Sequence, residues 1–303
     1  MVEEPFRKSA NDLLIPLLAG RGFAAILTLE KAILTYKLQF TIPKETKMDN
    51  RISLPIAVID SGVGGISVLR ELIKIMPEER FLYFGDSINA PYGTKSRAEV
   101  LEITRNNLDL LKKRGIKALV VACNTATSAA VRILREENPE LPIVGIEPAV
   151  KPASQICDHP RILVMATPLT LKEEKFKALV ARFEDKGEFI PLPCPGLADL
   201  VETGEVDGDE IRSYLEELFS PYFDQKIDGI VLGCTHYPHV KHVINEIWCG
   251  RVAIFDGGEG TARETRRRIA EKGLLRHGEG EIEILNSSDD KKMIEISKKL
   301  LYR

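Results

Sequence analysis

The feature that most constrains this chain is that it repeats itself. Ile56-Ala57-Val58-Ile59 is echoed by Ile162-Leu163-Val164-Met165 at an offset of 106 residues, and Phe81 by Phe189 at 108. Any two buried strands can give matches of that kind. The third match is sharper: Lys117-Ala118-Leu119-Val120-Val121-Ala122-Cys123-Asn124-Thr125 aligns with Asp228-Gly229-Ile230-Val231-Leu232-Gly233-Cys234-Thr235-His236 at an offset of 111. Three matches in order, at slowly drifting offsets, describe two copies of one supersecondary unit.

The local pattern says what that unit is. Short apolar or β-branched runs predict strands at Pro55–Asp60, Phe81–Phe84, Ala118–Ala122, Ile143–Ile146, Ile162–Ala166, Phe189–Leu192, Gly229–Leu232, Val252–Phe255 and Ile282–Leu285. Helical stretches fall between and after them, at Ile66–Ile75, Arg97–Lys113, Thr125–Glu137, Leu171–Arg182, Asp209–Leu218, Pro238–Ile247, Gly260–Lys272 and Asp289–Leu301. Strands apolar on both faces and separated by helices predict parallel sheets covered on both sides, so the fold class is α/β. If the two copies face each other about a pseudo-twofold axis, Cys123 and Cys234 end up on opposite walls of one cleft.

Composition narrows the function classes. A chain of 303 residues, 44% apolar and 29% charged, is globular and long enough for about two packed units. The net charge of −3 gives no global attraction to nucleic acid or to an anionic membrane, and no run of about 18 uncharged apolar residues suggests a span. The expected partner is a small molecule. Five cysteines, odd in number and widely spaced (Cys123, Cys157, Cys194, Cys234, Cys249), do not form a disulfide framework and fit a reducing, cytoplasmic setting. Residues 1–50 stand apart. Their apolar stretches are broken by Pro16, Gly20, Gly22, Glu30, Lys31 and Lys37, so they read as accessory helices or a poorly ordered extension rather than a secretory signal, and Met48 is a candidate native start.

Cys123 and Cys234 each close a predicted strand just before a predicted helix, where parallel sheets bind ligands and where helix N-termini point. A single cysteine in such a place is more often a small buried residue. Two in matched positions of a repeat, each followed by polar residues, point to function, and Cys157, Cys194 and Cys249 lack that setting. A matched pair of acid/base groups across one substrate is what a cofactor-free racemase needs, because the proton leaves one face of the carbon and returns on the other.

Asp60-Ser61-Gly62-Val63-Gly64-Gly65 ends the first strand and lets backbone amides approach an anion closely. It lacks the glycine spacing of a dinucleotide site and the Gly-Lys-Ser/Thr of a P-loop, so a carboxylate suits it better than a nucleotide. Asp60 reads either as a turn residue or as a group serving the substrate ammonium or Cys123. Cys234 with His236, His239 and His242 offers metal donors, but no further ligand follows at metal spacing and Cys123 has no matching histidine, so no metal is expected. Pro91-Tyr92-Gly93 reads as a turn, and Glu147 and Glu202 as lone carboxylates facing solvent.

Taken together, Ile59 through Gly65, Asp86 through Pro91-Tyr92-Gly93, Ala122-Cys123-Asn124-Thr125-Ala126, Leu200-Val201-Glu202 and Gly233-Cys234-Thr235-His236-Tyr237-Pro238 resemble the glutamate racemase family in order and spacing, over roughly residues 54–300. The resemblance implies a cofactor-independent interconversion of L- and D-glutamate that supplies peptidoglycan synthesis, carried out by a cytoplasmic homodimer. It implies Cys123 as base for the D-enantiomer, assisted by Asp60, and Cys234 as base for the L-enantiomer, assisted by His236, with Glu202 near the second thiol. It assigns substrate contacts to Asp60, Ser61, Tyr92, Gly93, Asn124, Thr125, Thr235 and His236.

The implied architecture is two pseudo-symmetric parallel-sheet units with the active site in the cleft between them. The first comprises residues 51–147 plus 256–303 and the second residues 148–255, preceded by the extension 1–50, which has almost no family counterpart. Two other readings stay open: a related two-cysteine isomerase acting on aspartate or another carboxylate, and a binding module in which the cysteines are structural.

Overall fold

In the computed structural model, which describes residues 48–172, 174–288 and 290–303, all paired strands are parallel and they form two sheets. A single 3-10 turn (Met48–Ser53) leads into β1 (Ile56–Asp60), α1 (Ile66–Ile75), β2 (Arg80–Gly85), α2 (Arg97–Arg114), β3 (Ala118–Val121), α3 (Asn124–Glu137) and β4 (Ile143–Gly145). After α4 (Val150–Ala153) the pattern restarts with β5 (Arg161–Ala166), α5 (Pro168–Lys172), α6 (Glu174–Ala181), β6 (Glu188–Pro193), α7 (Leu197–Glu202) and α8 (Asp209–Phe219). It continues through β7 (Gly229–Leu232), α9 (Lys241–Ile247), β8 (Ala253–Asp256), α10 (Gly258–Glu271), β9 (Glu281–Asn286) and α11 (Lys291–Leu301).

The first sheet runs β4-β3-β1-β2-β9 and the second β6-β5-β7-β8. Without β9 the two orders are the same. The registers agree as well: Ile56 sits opposite Phe81 and Ala118, while Ile162 sits opposite Phe189 and Gly229. Those are the residues paired by the offsets 106, 108 and 111, so the drift in the repeat is absorbed by the connections while pairing within the sheets stays fixed. A slip of one residue would turn every buried side chain to the other face, which is why the register tolerates no drift.

Alternate residues of the central strands feed different cores. Ile56, Val58, Phe81, Tyr83, Ala118 and Val120 pack with α1 and α10, and their cluster continues through Leu163, Met165, Ile230 and Leu232 of the second sheet. Ala57, Ile59, Leu82, Phe84, Leu119 and Val121 pack on the other face, with α2 and α3. One apolar cluster therefore runs through both halves. At the foot of β3 the buried Lys117 pairs with the buried Glu79 at 2.5 Å, and its ammonium donates to the carbonyls of Ile52 (2.8 Å) and Leu274 (2.9 Å). Glu79 in turn accepts from the Arg276 amide at 2.9 Å.

All nine expected strands are present; the differences lie in short helices. The single helix expected over Leu171–Arg182 begins earlier, as α5, and continues as α6. The four residues of α4 and six of α7 are too few to show a helical period. Pro191 and Pro193 are accommodated because β6 is an edge strand. The expected extension, residues 1–50, lies outside the described residues except for its last three, and no described helix is long and apolar enough to cross a membrane.

Candidate active site

Because the strands of each sheet are parallel, their carboxyl ends collect the loops that carry the motifs. β1 ends at Asp60 and continues into the glycine loop, β3 is followed by Cys123, and β7 by Cys234. Cys123 caps α3: its sulfur accepts from the Ala126 amide at 3.5 Å. Cys234 does not have the matching helix start expected for it. A 3-10 turn (Tyr237–Val240) comes first, α9 starts only at Lys241, and the partner of this sulfur is His236, with Nδ1 at 3.5 Å.

Both cysteines line one cavity of about 390 Å3. Ser61, Tyr92, Gly93, Asn124, Thr125, Glu202, Thr235 and His236 line it too, so every residue that the family resemblance gave a catalytic or substrate-binding role is on its wall except Asp60. Asp60 lies just beneath, 2% exposed, with Oδ2 accepting from the Gly62 amide at 3.2 Å and Oδ1 accepting from the Thr235 hydroxyl at 3.2 Å. Tyr92 is oriented by the buried Asp86, which accepts from its hydroxyl at 2.6 Å and from the Asn107 amide at 2.9 Å. The Ala90–Pro91 peptide before it is cis.

Glu202 corrects its reading as a solvent-facing acid. It comes from α7 in the second half, and its Oε1 reaches His236 Nε2 at 2.6 Å and accepts from the Val63 amide of the glycine loop at 2.8 Å. The glycines of that loop are required by the approach itself. A Cβ on Gly62 would run into the Glu202 carboxylate, and one on Gly64 would lie 2.5 Å from His236 Nδ1 and 2.7 Å from Thr235 Oγ1.

The two thiols sit in different electrostatic surroundings. Burial, reinforced by the Asp60 carboxylate and by Cys234, pushes the Cys123 pKa up to about 12. Burial opposes an imidazolium at His236, but Cys234 on one side and Glu202 on the other outweigh it and hold its pKa well above the usual histidine value. Burial disfavours the charge on Glu202 too, yet His236 and the Val63 amide hold it below the ordinary carboxylate range. Asp60 is raised by burial, with His236 opposing and Glu202 adding to the shift. The result is a protonated thiol on one wall and, on the other, a thiol beside an imidazolium–carboxylate pair. Such a site can take a proton from one face of a carbon and deliver another to the opposite face.

Neither Lys nor Arg is among the described residues lining the cavity. Anion contacts here come from hydroxyls, side-chain amides and backbone N–H groups, including the first turn of the 14-residue α3. Asn124 Oδ1 is buried with no hydrogen-bond partner among the described residues. The histidines considered as metal donors diverge: His239 Nε2 contacts the Gly64 carbonyl at 3.1 Å, and His242 Nε2 contacts Asp207 at 2.5 Å. Among the described residues no group of three or more His, Cys, Asp or Glu could hold a metal ion.

Comparison with known proteins places this geometry. The family model for Asp/Glu/hydantoin racemases matches residues 56–265, the span that carries both cysteines and both sheets' central strands. The chain belongs to this racemase family. It is therefore an isomerase. A glutamate racemase of Clostridium perfringens is 47% identical over 255 residues, which cover 84% of this chain and 98% of that one. Glutamate racemase isoform RacE1 of Bacillus anthracis superposes with a TM-score of 0.74 at 30% identity, covering 82% of this chain and 94% of that one. The Francisella tularensis glutamate racemase, solved with D-glutamate, superposes with a TM-score of 0.72 at 28% identity, covering 83% and 95%.

The structure adds wall residues that the motifs did not name. Thr167 and Thr170, with hydroxyls 2.9 Å apart, line the cavity from the second half. The repeat held the signal for Thr167, since the offset of 106 that matches β1 to β5 also matches Ser61 to Thr167. Met293, from α11 at the end of the chain, had no such signal.

Proposed function

We propose that this racemase interconverts L- and D-glutamate without a cofactor, using Cys123 and Cys234 as the two acid/base groups, and that its D-glutamate feeds peptidoglycan synthesis. The observation that carries the reading is that both thiols line one cavity large enough for a small amino acid, at matched places of a structural repeat. The identity to glutamate racemases over most of the chain supports the substrate.

With L-glutamate bound, the Cys234 sulfur, 3.5 Å from the His236 ring, acts as the base and takes the α-proton. The electron pair of the broken C–H bond spreads into the α-carboxylate, whose charge is met by hydroxyl and amide donors. Cys123, held protonated by burial and Asp60, then delivers its proton to the opposite face and D-glutamate results. The reverse reaction exchanges the roles. The orphan acceptor Asn124 Oδ1 suits the substrate ammonium. A cytoplasmic homodimer is part of the same reading; the five free cysteines support the reducing compartment, and the family resemblance supports the dimer.

The test is incubation with L-glutamate in deuterated water, following loss of optical activity and gain of α-deuterium. Racemisation with deuterium uptake is expected, unchanged by a chelator and much slower for L-aspartate. Cys123→Ala and Cys234→Ala should each lower the rate by at least about 10²-fold, the usual worth of an acid/base group. Full activity in both variants would rule out the two-thiol mechanism.

A further inference from the structure

The glycine loop that carries Asp60 is gripped by the other half of the molecule at two successive residues, Val63 and Gly64. Glu202 holds the Val63 N–H at 2.8 Å, and His239 Nε2 lies 3.1 Å from the Gly64 carbonyl, which as an acceptor requires the Nε2–H tautomer. Two more bonds flank this clamp: the Ser67 hydroxyl donates to the Thr235 carbonyl at 2.8 Å, and the Thr235 hydroxyl donates to Asp60 at 3.2 Å. His239 is 5% exposed, and burial lowers its pKa to about 4, so the neutral, donating imidazole is the form present at neutral pH. Unlike Glu202 and Thr235, it is not on the cavity wall.

We propose that His239 is a positioning residue of the racemase: by holding the Gly64 carbonyl it keeps the Val63–Gly64 peptides in register with Glu202, and through Glu202 keeps His236 aimed at Cys234. The chain of contacts is continuous: from His239 to Gly64, across one peptide to the Val63 amide, then Glu202 Oε1, His236 (2.6 Å) and the Cys234 sulfur (3.5 Å). The Gly64 carbonyl also accepts from the Ser67 amide at 3.0 Å and lies 2.9 Å from the Ser67 hydroxyl, but both belong to the segment that the loop itself runs into; His239 is what ties this oxygen to the other half, and its loss loosens the loop against the carboxylate that orients the imidazole. The first effect falls on the Cys234 side of the reaction, because Cys123 is seated separately, on the Ala126 amide.

This inference rests on the racemase reading, and the experiment separates the two. His239→Leu removes the donor. His239→Gln places an amide nitrogen at nearly the same reach as Nε2 and restores it. Both variants are measured for kcat and KM with each enantiomer, for deuterium isotope effects on kcat/KM with α-deuterated L- and D-glutamate, for melting temperature, and for amide hydrogen exchange over residues 62–66.

Because the enantiomers have equal energy in water, kcat/KM must fall equally in both directions, so the isotope effects show which half-reaction has slowed. The Leu variant is expected to lose about 10-fold in kcat, a loss in keeping with slight misplacement of a catalytic group. Its KM should stay within about 2-fold, its isotope effect should rise with L-glutamate relative to D-glutamate, and the Gln variant should recover most of kcat. A Leu variant with normal kcat, or a Gln variant as impaired as Leu, overturns the proposal. Should the wild type fail to racemise glutamate, the functional reading fails, and faster exchange at residues 62–66 in Leu but not in Gln still tests the clamp by itself.

Discussion

Glu202 and His236 meet at 2.6 Å across the boundary between α7 and the turn after β7, and the same carboxylate oxygen holds the Val63 amide of the opposite half. One carboxylate thus orients the imidazole beside Cys234 and ties it to the glycine loop of the opposite half. The His236 pKa is raised and that of Glu202 lowered, so both are ionised across the neutral range.

Glu202→Gln should lower kcat by about 10- to 10²-fold and move the alkaline limb of the rate profile to lower pH. The sign follows from the charge removed: without the carboxylate, the imidazolium loses its proton more readily. In stability, the His236 contribution is present in full below its unfolded pKa and is lost as pH rises through the raised folded value. The Glu202 contribution is present above its unfolded pKa and is lost as pH falls through the lowered one. Wild type minus variant melting temperature should therefore be largest in the mildly acidic window between the unfolded carboxylate and imidazole values, about pH 4.5 to 6.5, and shrink toward both extremes, which thermal denaturation between about pH 3 and 10 checks.

Thiol reactivity should divide the two walls of the cavity. With its pKa near 12, the fraction of Cys123 present as thiolate at pH 8 is on the order of 10⁻⁴. Mass spectrometry of the substrate-free enzyme after iodoacetamide should find Cys123 modified slowest of the two cavity thiols. In Asp60→Asn the loss of a negative charge beside the sulfur lowers its pKa, so Cys123 should react faster there. Equal labelling of both thiols in the wild type would count against the assigned asymmetry.

Gly62→Ala and Gly64→Ala should damage activity more than stability. The new methyl meets the end of the Glu202 side chain in one case and His236 with Thr235 in the other. The Glu202 carboxylate is the far end of a flexible side chain and can swing aside, whereas His236 and Thr235 are buried and must shift with their surroundings; in both cases the contacts proposed to orient the imidazole are broken. A fall of at least about 10²-fold in kcat/KM, with a drop in melting temperature no larger than that of Glu202→Gln, is expected from parallel kinetics and calorimetry.

Lys117→Met should do the reverse. It leaves Glu79 charged and buried and releases the Ile52 and Leu274 carbonyls, a loss of about 3–5 kcal/mol for breaking a buried pair. Lys117 lies at the end of β3 remote from Cys123, so kcat of the folded variant should match the wild type while the denaturation midpoint falls sharply.

Much of this molecule was legible in its sequence because the signals were of two strong kinds. Strands buried on both faces, such as Ile56–Asp60, announce themselves by composition, and the match between Cys123 and Cys234 reflects a strand register that the two sheets share. Glu202 was not legible from its own surroundings. It sits on a six-residue helix, too short for periodicity, and its partners lie 34 and 139 positions away. Thr170 and Met293 escaped for the same reason, being placed by tertiary packing. The helix start expected at Cys234 failed because the turn at Tyr237–Val240 intervenes, and His236 fills the place that α3 occupies beside Cys123.

The absence of Lys and Arg from the described cavity wall has a consequence for how binding responds to solution conditions. Dipoles that hold a carboxylate at contact distance inside a recess are hardly affected by mobile ions, whose screening length is about 10 Å at 0.1 M and acts on separated, exposed charges. The Michaelis constant for a ligand with two carboxylates and one ammonium should then be nearly the same in dilute and in concentrated salt, an insensitivity that a recess walled by surface cations would not have.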